Sequence, residues 1–272
     1  MTVPEPIRER IAQATRLQLF LDYDGTLADF APTPEHIQPD PEVIALLATL
    51  ADHIRIQVAV ISGRRLCHIQ ELIPLPGILL AGTYGLELLT PEGERIERIA
   101  HSAVRPALES LKPRWAALIA GREGFFLEDK GWTLALHARF ANERDATIVL
   151  QAAHHAAQRA ARSGPFRFLD GHRFLEIGPR LAHKGQTVDY LLEHHPWSGA
   201  LPVYVGDDER DEEAFAVVQA HGGVAVRVAP QPHHTAADFC LPSPQAARSW
   251  LAALPAHLNP QRPQGVNTLQ GE

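Results

Sequence analysis

The chain has 272 residues, enough for one large domain or two modest ones, and its 45% apolar residues suffice for a full core. The formal charge of −7, with no long basic run, argues against nucleic acid or an anionic membrane surface as partner. No stretch approaches the ~18 consecutive apolar residues of a membrane span. Residues 1–16 carry no apolar signal segment, and Cys67 and Cys240 do not make a disulfide framework, so both thiols read as reduced and the chain as cytoplasmic.

Residues 5–14 predict a short helix. Leu17, Leu19, Phe20 and Leu21 then form a nearly continuous apolar run, the pattern of a strand buried on both faces of a parallel sheet. Asp22 and Asp24 follow at its C-terminal end, with Gly25 able to turn the chain sharply. After a loop containing Pro32, Pro34 and Pro39, Asp40 is a helix cap and Pro41 a first helical residue, and Val43, Leu46, Leu47 and Leu50 mark the buried face. Residues 56–61 predict a second buried strand ending in Ser62-Gly63-Arg64; residues 78–81 predict a third, ending in Gly82-Thr83-Tyr84-Gly85. This alternation predicts an α/β fold with a doubly wound parallel sheet.

The rhythm changes near residue 103. Val104, Leu108, Leu111, Trp115 and Leu118 have helical spacing. Residues 125–128 and 132–140 predict strands joined at Lys130-Gly131, the second with Trp132, Leu134, Leu136 and Ala138 inward and Thr133, His137 and Arg139 partly exposed. An Ala-rich helix over 143–162 and a hairpin turning at Asp170-Gly171 complete a separate α+β unit at 104–178. The parallel rhythm returns with a helix opened by Lys184, a strand at 201–205 followed directly by Gly206-Asp207-Asp208-Glu209-Arg210-Asp211, a helix at 211–220, a strand at 224–228 and a helix at 243–254. Residues 1–103 and 179–257 thus form the core, and 258–272, rich in Pro, Gln and Asn, a loose tail. The adjacent histidine pairs at 154, 194 and 233 make poor chelates, because neighbours point in different directions, and read as surface or packing residues.

In a parallel sheet the strand C-termini meet at one edge, where ligands bind. Asp22, Asp24, Ser62, Lys184, Asp207, Asp208 and Asp211 all stand at such ends or helix starts. Singly, each is a turn, a cap or a solvated charge; together they fit phosphoryl transfer. Asp22 is suited to attack phosphorus and Asp24 to act as acid and then base. Ser62 and Lys184 hold the phosphoryl oxygens. The metal set is Asp22, Asp24, Asp207, Asp208 and Asp211, hard oxygen donors suited to magnesium, with Asp211 a direct or an indirect ligand.

Asp22-Tyr-Asp-Gly-Thr-Leu, Ser62-Gly-Arg, Lys184 and Gly206-Asp-Asp…Asp211 resemble, in order and spacing, the four motifs of the haloacid dehalogenase superfamily over residues 17–254. Leu127-Glu-Asp-Lys130, the run to His137-Ala-Arg139, Leu175-Glu176-Ile, His183-Lys-Gly and Gly206-Asp-Asp-x-x-Asp-Glu-x-Ala-Phe215 are similar to the trehalose-6-phosphate phosphatases. The resemblance implies an inserted cap domain at 104–178, magnesium, and a sugar phosphate substrate bound through Gly63, Arg64, Glu128, Lys130, His137, Arg139 and Glu176, with Glu128 and Lys130 on sugar hydroxyls. Two positions depart from it: Tyr84 stands where the family usually has His, and Arg210 where it usually has Thr. The polar set on 125–139 also reads as an ordinary solvated sheet face. Alternatives are a phosphatase for mannosyl-3-phosphoglycerate or sucrose 6-phosphate, an Asp-x-Asp glycosyltransferase, or a non-catalytic sugar-phosphate sensor. The chain is expected to act as a monomer.

Overall fold

The computed structural model describes residues 3–29, 38–171, 173–231 and 234–258. Pro32 and Pro34, His233, and the tail beyond residue 258 lie outside the described residues. In chain order the elements are α1 (Glu5–Gln13), β1 (Arg16–Leu21), α2 (Pro41–Ala51), β2 (Ile56–Ile61), α3 (Leu66–Leu72), β3 (Leu79–Gly82), β4 (Glu87–Leu89), β5 (Arg95–Glu97), α4 (His101–Ile119), β6 (Phe126–Asp129), β7 (Leu134–His137), α5 (Glu143–Ser163), β8 (Phe166–Gly171), β9 (Phe174–Pro179), α6 (Lys184–His194), β10 (Ala200–Gly206), α7 (Asp211–Ala220), β11 (Val224–Val228), β12 (Phe239–Leu241) and α8 (Pro244–His257). They fall into two compact units, residues 1–60 with 188–272, and residues 61–187.

In the first unit the strands run β12-β11-β10-β1-β2, all parallel, as the continuous apolar runs predicted. Leu17, Leu19, Phe20 and Leu21 of β1 are wholly buried, and the amide of Gln18 donates to the His195 carbonyl at 3.2 Å, so its burial leaves no donor unmet there. Register pairs Leu21 with Val205 of β10, and the Asp22 N–H extends that ladder by donating to the Val205 carbonyl at 2.9 Å. Two strand ends are thereby locked side by side. Helix α2 starts as predicted, with the Asp40 carboxylate accepting the Glu42 N–H at 2.8 Å and Pro41 next. Its Val43, Leu47 and Leu50 are buried, as are Ala247, Leu251 and Leu254 of α8, a helix that packs against α2, and each large side chain contributes about 1.5–3 kcal/mol of apolar burial. Leu46 is only half-buried. Strand β12 has no forecast in the sequence; at three residues it is too short to show a period.

In the second unit β3, β4 and β5 form an antiparallel meander with α3 packed on β3 and β4; α3, β4 and β5 were not predicted. A separate antiparallel sheet runs β6-β7-β9-β8, and α4 and α5 pack together and against it. Val104, Leu108, Leu111 and Trp115 of α4 enter one core with Leu134, Leu136, Val149, Ala153, Leu175 and Ile177. The Trp115 indole N–H reaches the Ala153 carbonyl at 3.0 Å, so a bulky core residue also fixes the helix pair.

Two local expectations are corrected. Thr133 is fully buried, not part-exposed, because β7 is an interior strand and the face opposite the helices carries the carboxylate of Glu176. The second hairpin does not turn at Asp170-Gly171. Gly171 is still paired, opposite Phe174, and the turn comes after it, where Arg173 takes a left-handed φ of 56°.

Candidate active site

Carboxylates gather at the C-terminal ends of two adjacent parallel strands in the first unit. Asp22, Asp207 and Asp211 each offer an oxygen within 4.8 Å of the others. Asp22 and Asp211 are buried and Asp207 half-buried. Three carboxylates at this separation repel one another strongly unless a cation or proton lies among them. An all-oxygen donor set of this kind matches a hard divalent cation.

The local sequence explains the geometry. After β1, Gly25 takes φ 83° and its N–H meets the Ala28 carbonyl at 2.7 Å, while the N–H groups of Leu27 and Ala28 both donate to the Tyr23 carbonyl at 2.9 Å. This tight turn ends the strand directly behind Asp22 and Asp24. The Thr26 hydroxyl donates to Asp207 Oδ1 at 3.3 Å, tying the two strand ends. After β10, Asp211 holds the loop: its Oδ2 accepts the N–H of Asp207 at 2.9 Å and of Asp208 at 3.0 Å, and its Oδ1 accepts the Tyr204 hydroxyl at 2.6 Å. The side chain lies so close to Gly206 that a Cβ there would fall 2.2 Å from the Asp211 Cγ, which is why only glycine fits. Asp24 and Asp208 lie outside the three-carboxylate group among the described residues. The Asp208 carboxylate faces Arg210 instead, at 2.7 Å from Nε and 2.5 Å from Nη2, and accepts the Arg210 N–H at 2.9 Å. Arg210 therefore stiffens the start of α7.

The second unit holds a chain of polar groups on the sheet face opposite its helices. Glu176 on β9 is 0% exposed. Its Oε1 accepts a short hydrogen bond from the Thr133 hydroxyl; its Oε2 accepts from the Tyr84 hydroxyl at 2.8 Å and from the Lys130 ammonium at 3.2 Å. Lys130, 7% exposed, also stands 3.9 Å from Glu128 Oε2, which meets His137 Nε2 at 3.0 Å. The His137 ring stacks on Phe126, with centroids 4.5 Å apart, and leans against Phe174. Burial pushes the Glu128 carboxyl up, but the His137 hydrogen bond and the charges of Lys130, His137 and Arg64 outweigh it and hold the group below its usual range. The turn at Lys130-Gly131 is clamped by Asp129, which accepts the Gly131 N–H at 3.0 Å and binds Arg105 through both oxygens at 2.6 and 2.7 Å. The Arg105 hydrogen bond outweighs burial and holds Asp129 well below the ordinary carboxylate range. A solvated sheet face, the plain reading of this polar alternation, does not describe Glu176, Thr133 or Lys130, all of them buried. Arg139 lies past the end of β7 and is exposed.

Ser62, Gly63, Arg64 and Lys184 also belong to this unit. Ser62, at the end of β2, is buried, and its Oγ accepts the Arg64 N–H at 3.1 Å. Its carbonyl accepts the Tyr84 N–H at 2.8 Å. Lys184 is buried at the start of α6, whose Thr187 donates its hydroxyl to the Tyr84 carbonyl at 2.8 Å. Sequence reasoning missed Thr26, Thr133, Thr187 and Tyr204. Nothing in one dimension marks the hydrogen-bond partner of any of them.

The trehalose-phosphatase family profile matches residues 20–245. A Sinorhizobium fredii protein named "Probable trehalose-phosphate phosphatase" is 34% identical over 237 residues, covering 87% of this chain and 86% of the relative. The Mycobacterium tuberculosis trehalose-phosphate phosphatase is 35% identical over 83% of this chain, but the match spans only 58% of that longer protein. Among solved structures, the C-terminal domain of the Candida albicans trehalose-6-phosphate phosphatase superposes with a TM-score of 0.82 at 20% identity, covering 95% of this chain and 98% of that one. The Aspergillus fumigatus trehalose-6-phosphate phosphatase gives 0.65 at 21% identity, covering 92% and 96%. At such identities the structural likeness speaks for the fold.

Proposed function

Because this chain belongs to the trehalose-phosphatase family, we propose that it is a phosphoric monoester hydrolase that converts trehalose 6-phosphate and water to trehalose and phosphate, with magnesium as cofactor. The carrying observation is the triad of Asp22, Asp207 and Asp211 at the ends of two adjacent parallel strands, which supports a cation beside a buried carboxylate nucleophile. Asp22 and Asp207 are the direct ligands in this reading. Asp211, with both oxygens engaged by Asp207, Asp208 and Tyr204, holds them in place. When bound, magnesium offsets the repulsion between an anionic nucleophile and an anionic phosphate.

In the first half-reaction an Asp22 oxygen forms a bond to phosphorus as the bond from phosphorus to the sugar oxygen breaks. Asp24, entering protonated, gives its proton to the departing alkoxide. In the second, Asp24 takes a proton from water, whose oxygen attacks phosphorus and returns Asp22 as a carboxylate. The motif order assigns Ser62 and Lys184 to the phosphoryl oxygens, with Gly63 and Arg64 beside them, and the buried polar chain supports Glu128 and Lys130 as contacts for sugar hydroxyls. His137 braces Glu128, and Arg139 lies at the exposed rim. The test is phosphate release from trehalose 6-phosphate against a panel including sucrose 6-phosphate and mannosyl-3-phosphoglycerate. Preference for trehalose 6-phosphate is expected; faster turnover of another member would reassign the substrate. No helix among the described residues is long and apolar enough to cross a membrane, and a monomer in the cytoplasm remains part of this proposal.

A further inference from the structure

Tyr84 occupies an unusual piece of backbone. Thr83 and Tyr84 have φ of 50° and 58°, and Gly85 follows at 93°. Left-handed geometry at two consecutive non-glycine residues is disfavoured and persists only where the surroundings over-determine it. Here they do. The Thr83 N–H meets the Arg64 carbonyl at 2.6 Å, the Tyr84 N–H the Ser62 carbonyl at 2.8 Å, and the Thr187 hydroxyl the Tyr84 carbonyl. Arg98 Nη1 bridges the Gly85 carbonyl at 3.2 Å and Thr187 Oγ1 at 2.7 Å. The strained turn therefore faces the backbone of Ser62-Gly63-Arg64 on one side and the first turn of α6, which Lys184 opens, on the other.

The side chain completes the link. The Tyr84 ring lies so close to Gly63 that a Cβ there would be 2.8 Å from the ring edge. Its hydroxyl donates to Glu176 Oε2, and the Lys130 ammonium, on the same oxygen, lies 5.7 Å from the ring centroid. A carboxylate has about four acceptor positions, and three on Glu176 are taken by Tyr84, Lys130 and Thr133.

We infer that Tyr84 is a positioning residue for sugar recognition: its hydroxyl and that of Thr133 lock Glu176, and Glu176 in turn aims Lys130 while the Tyr84 backbone stays bound to the segments carrying Ser62 and Lys184. Glu176 then acts as an anchor for Lys130. The inference rests on the sugar-phosphatase reading above.

The test compares wild type, Tyr84→Phe and Thr133→Val with trehalose 6-phosphate and with acetyl phosphate, which has no sugar. Loss of one buried hydrogen bond to a carboxylate is expected to lower the ratio of the two kcat/KM values about tenfold, mostly through KM for the sugar substrate. The double variant should lose less than the product of the two single losses, since both act through Glu176. Circular dichroism checks folding, and if Tyr84→Phe does not fold, Thr133→Val alone carries the comparison. If wild type ignores trehalose 6-phosphate, the substrate reading fails, and the ratio is measured with whichever sugar phosphate of the panel it turns over best. With that sugar phosphate turned over, a ratio changed by less than twofold in both variants, or equal losses on both substrates, overturns the positioning role.

Discussion

Asp211→Asn is the sharpest probe of the carboxylate triad, because two opposing effects decide its outcome and a bound cation changes which one wins. The residue is 0% exposed and accepts three hydrogen bonds, from Asp207 N–H, Asp208 N–H and the Tyr204 hydroxyl. Asparagine keeps the shape but replaces one acceptor oxygen by a donor. The less costly orientation leaves its oxygen on the two backbone N–H groups and turns its amide toward Tyr204, whose own hydrogen then loses its acceptor. Bonds to a charged group are worth about 1 kcal/mol more than neutral ones, so three weakened bonds cost roughly 2–4 kcal/mol. Against this, the change removes a negative charge whose oxygen lies within 4.8 Å of those on Asp22 and Asp207. At an effective dielectric near 20, each such repulsion is about 3 kcal/mol. A bound cation cancels that repulsion; a chelator restores it. The two repulsions together, about 6 kcal/mol, exceed the cost of the weakened bonds, so the expected result is a loss of roughly 2–4 kcal/mol in saturating magnesium and a net gain of stability in chelator, read by urea denaturation under both conditions. Equal destabilisation with and without magnesium would refute the reasoning, since it would mean that no cation sits among these carboxylates.

Asp22→Asn is expected to abolish phosphate release with the circular dichroism unchanged, because shape is kept and the nucleophilic charge removed. Asp207→Ala should raise the magnesium concentration needed for half-maximal activity, and wild type should fall silent in chelator and recover on adding the metal, as titrations of both proteins will show. Glu128→Ala and Lys130→Ala should each cut kcat/KM for trehalose 6-phosphate about tenfold or more while sparing acetyl phosphate, as expected when a buried sugar hydroxyl is left without its partner; equal losses on both substrates would place them in the chemistry. Glu128 also shapes the acid limb of stability. Its folded value lies below the unfolded 4.5, so its contribution is complete above pH 4.5 and disappears as the pH falls through the folded value. Glu128→Gln should therefore flatten the stability profile below about pH 4.5 in an acid denaturation series.

Much of this protein was legible in one dimension. Leu17 to Leu21, residues 56–61 and residues 201–205 announced buried parallel strands because a strand covered on both faces leaves no room for polar alternation. Asp40 and Pro41 announced the start of α2 because capping is local chemistry. The helical spacing from Val104 to Trp115 held through α4 despite Pro106 and Pro113 inside it. A proline costs a helix interior about 3 kcal/mol, and the four buried side chains of that face offset it. The clustering of Asp22 with Asp207 followed from strand ends meeting at one edge of a parallel sheet.

What the sequence determined alone was therefore whatever depends on neighbours in the chain: strand runs, caps, and which carboxylates end which strands. The tertiary structure decided where the polar groups point. Thr133 looks like an outward residue of an alternating strand, yet it is buried because Glu176, far along the chain, requires a donor. Asp211 reads in the sequence as a direct or an indirect metal ligand, and only the folded chain shows that its oxygens also accept the Tyr204 hydroxyl and two backbone N–H groups. Tyr84 looks like a departure from a motif, yet its hydroxyl completes a carboxylate 92 residues away. Periodicity records how deeply a side chain is buried, because burial is a property of each position. A hydrogen bond between distant residues is a property of the pair, and only the folded chain brings the two together.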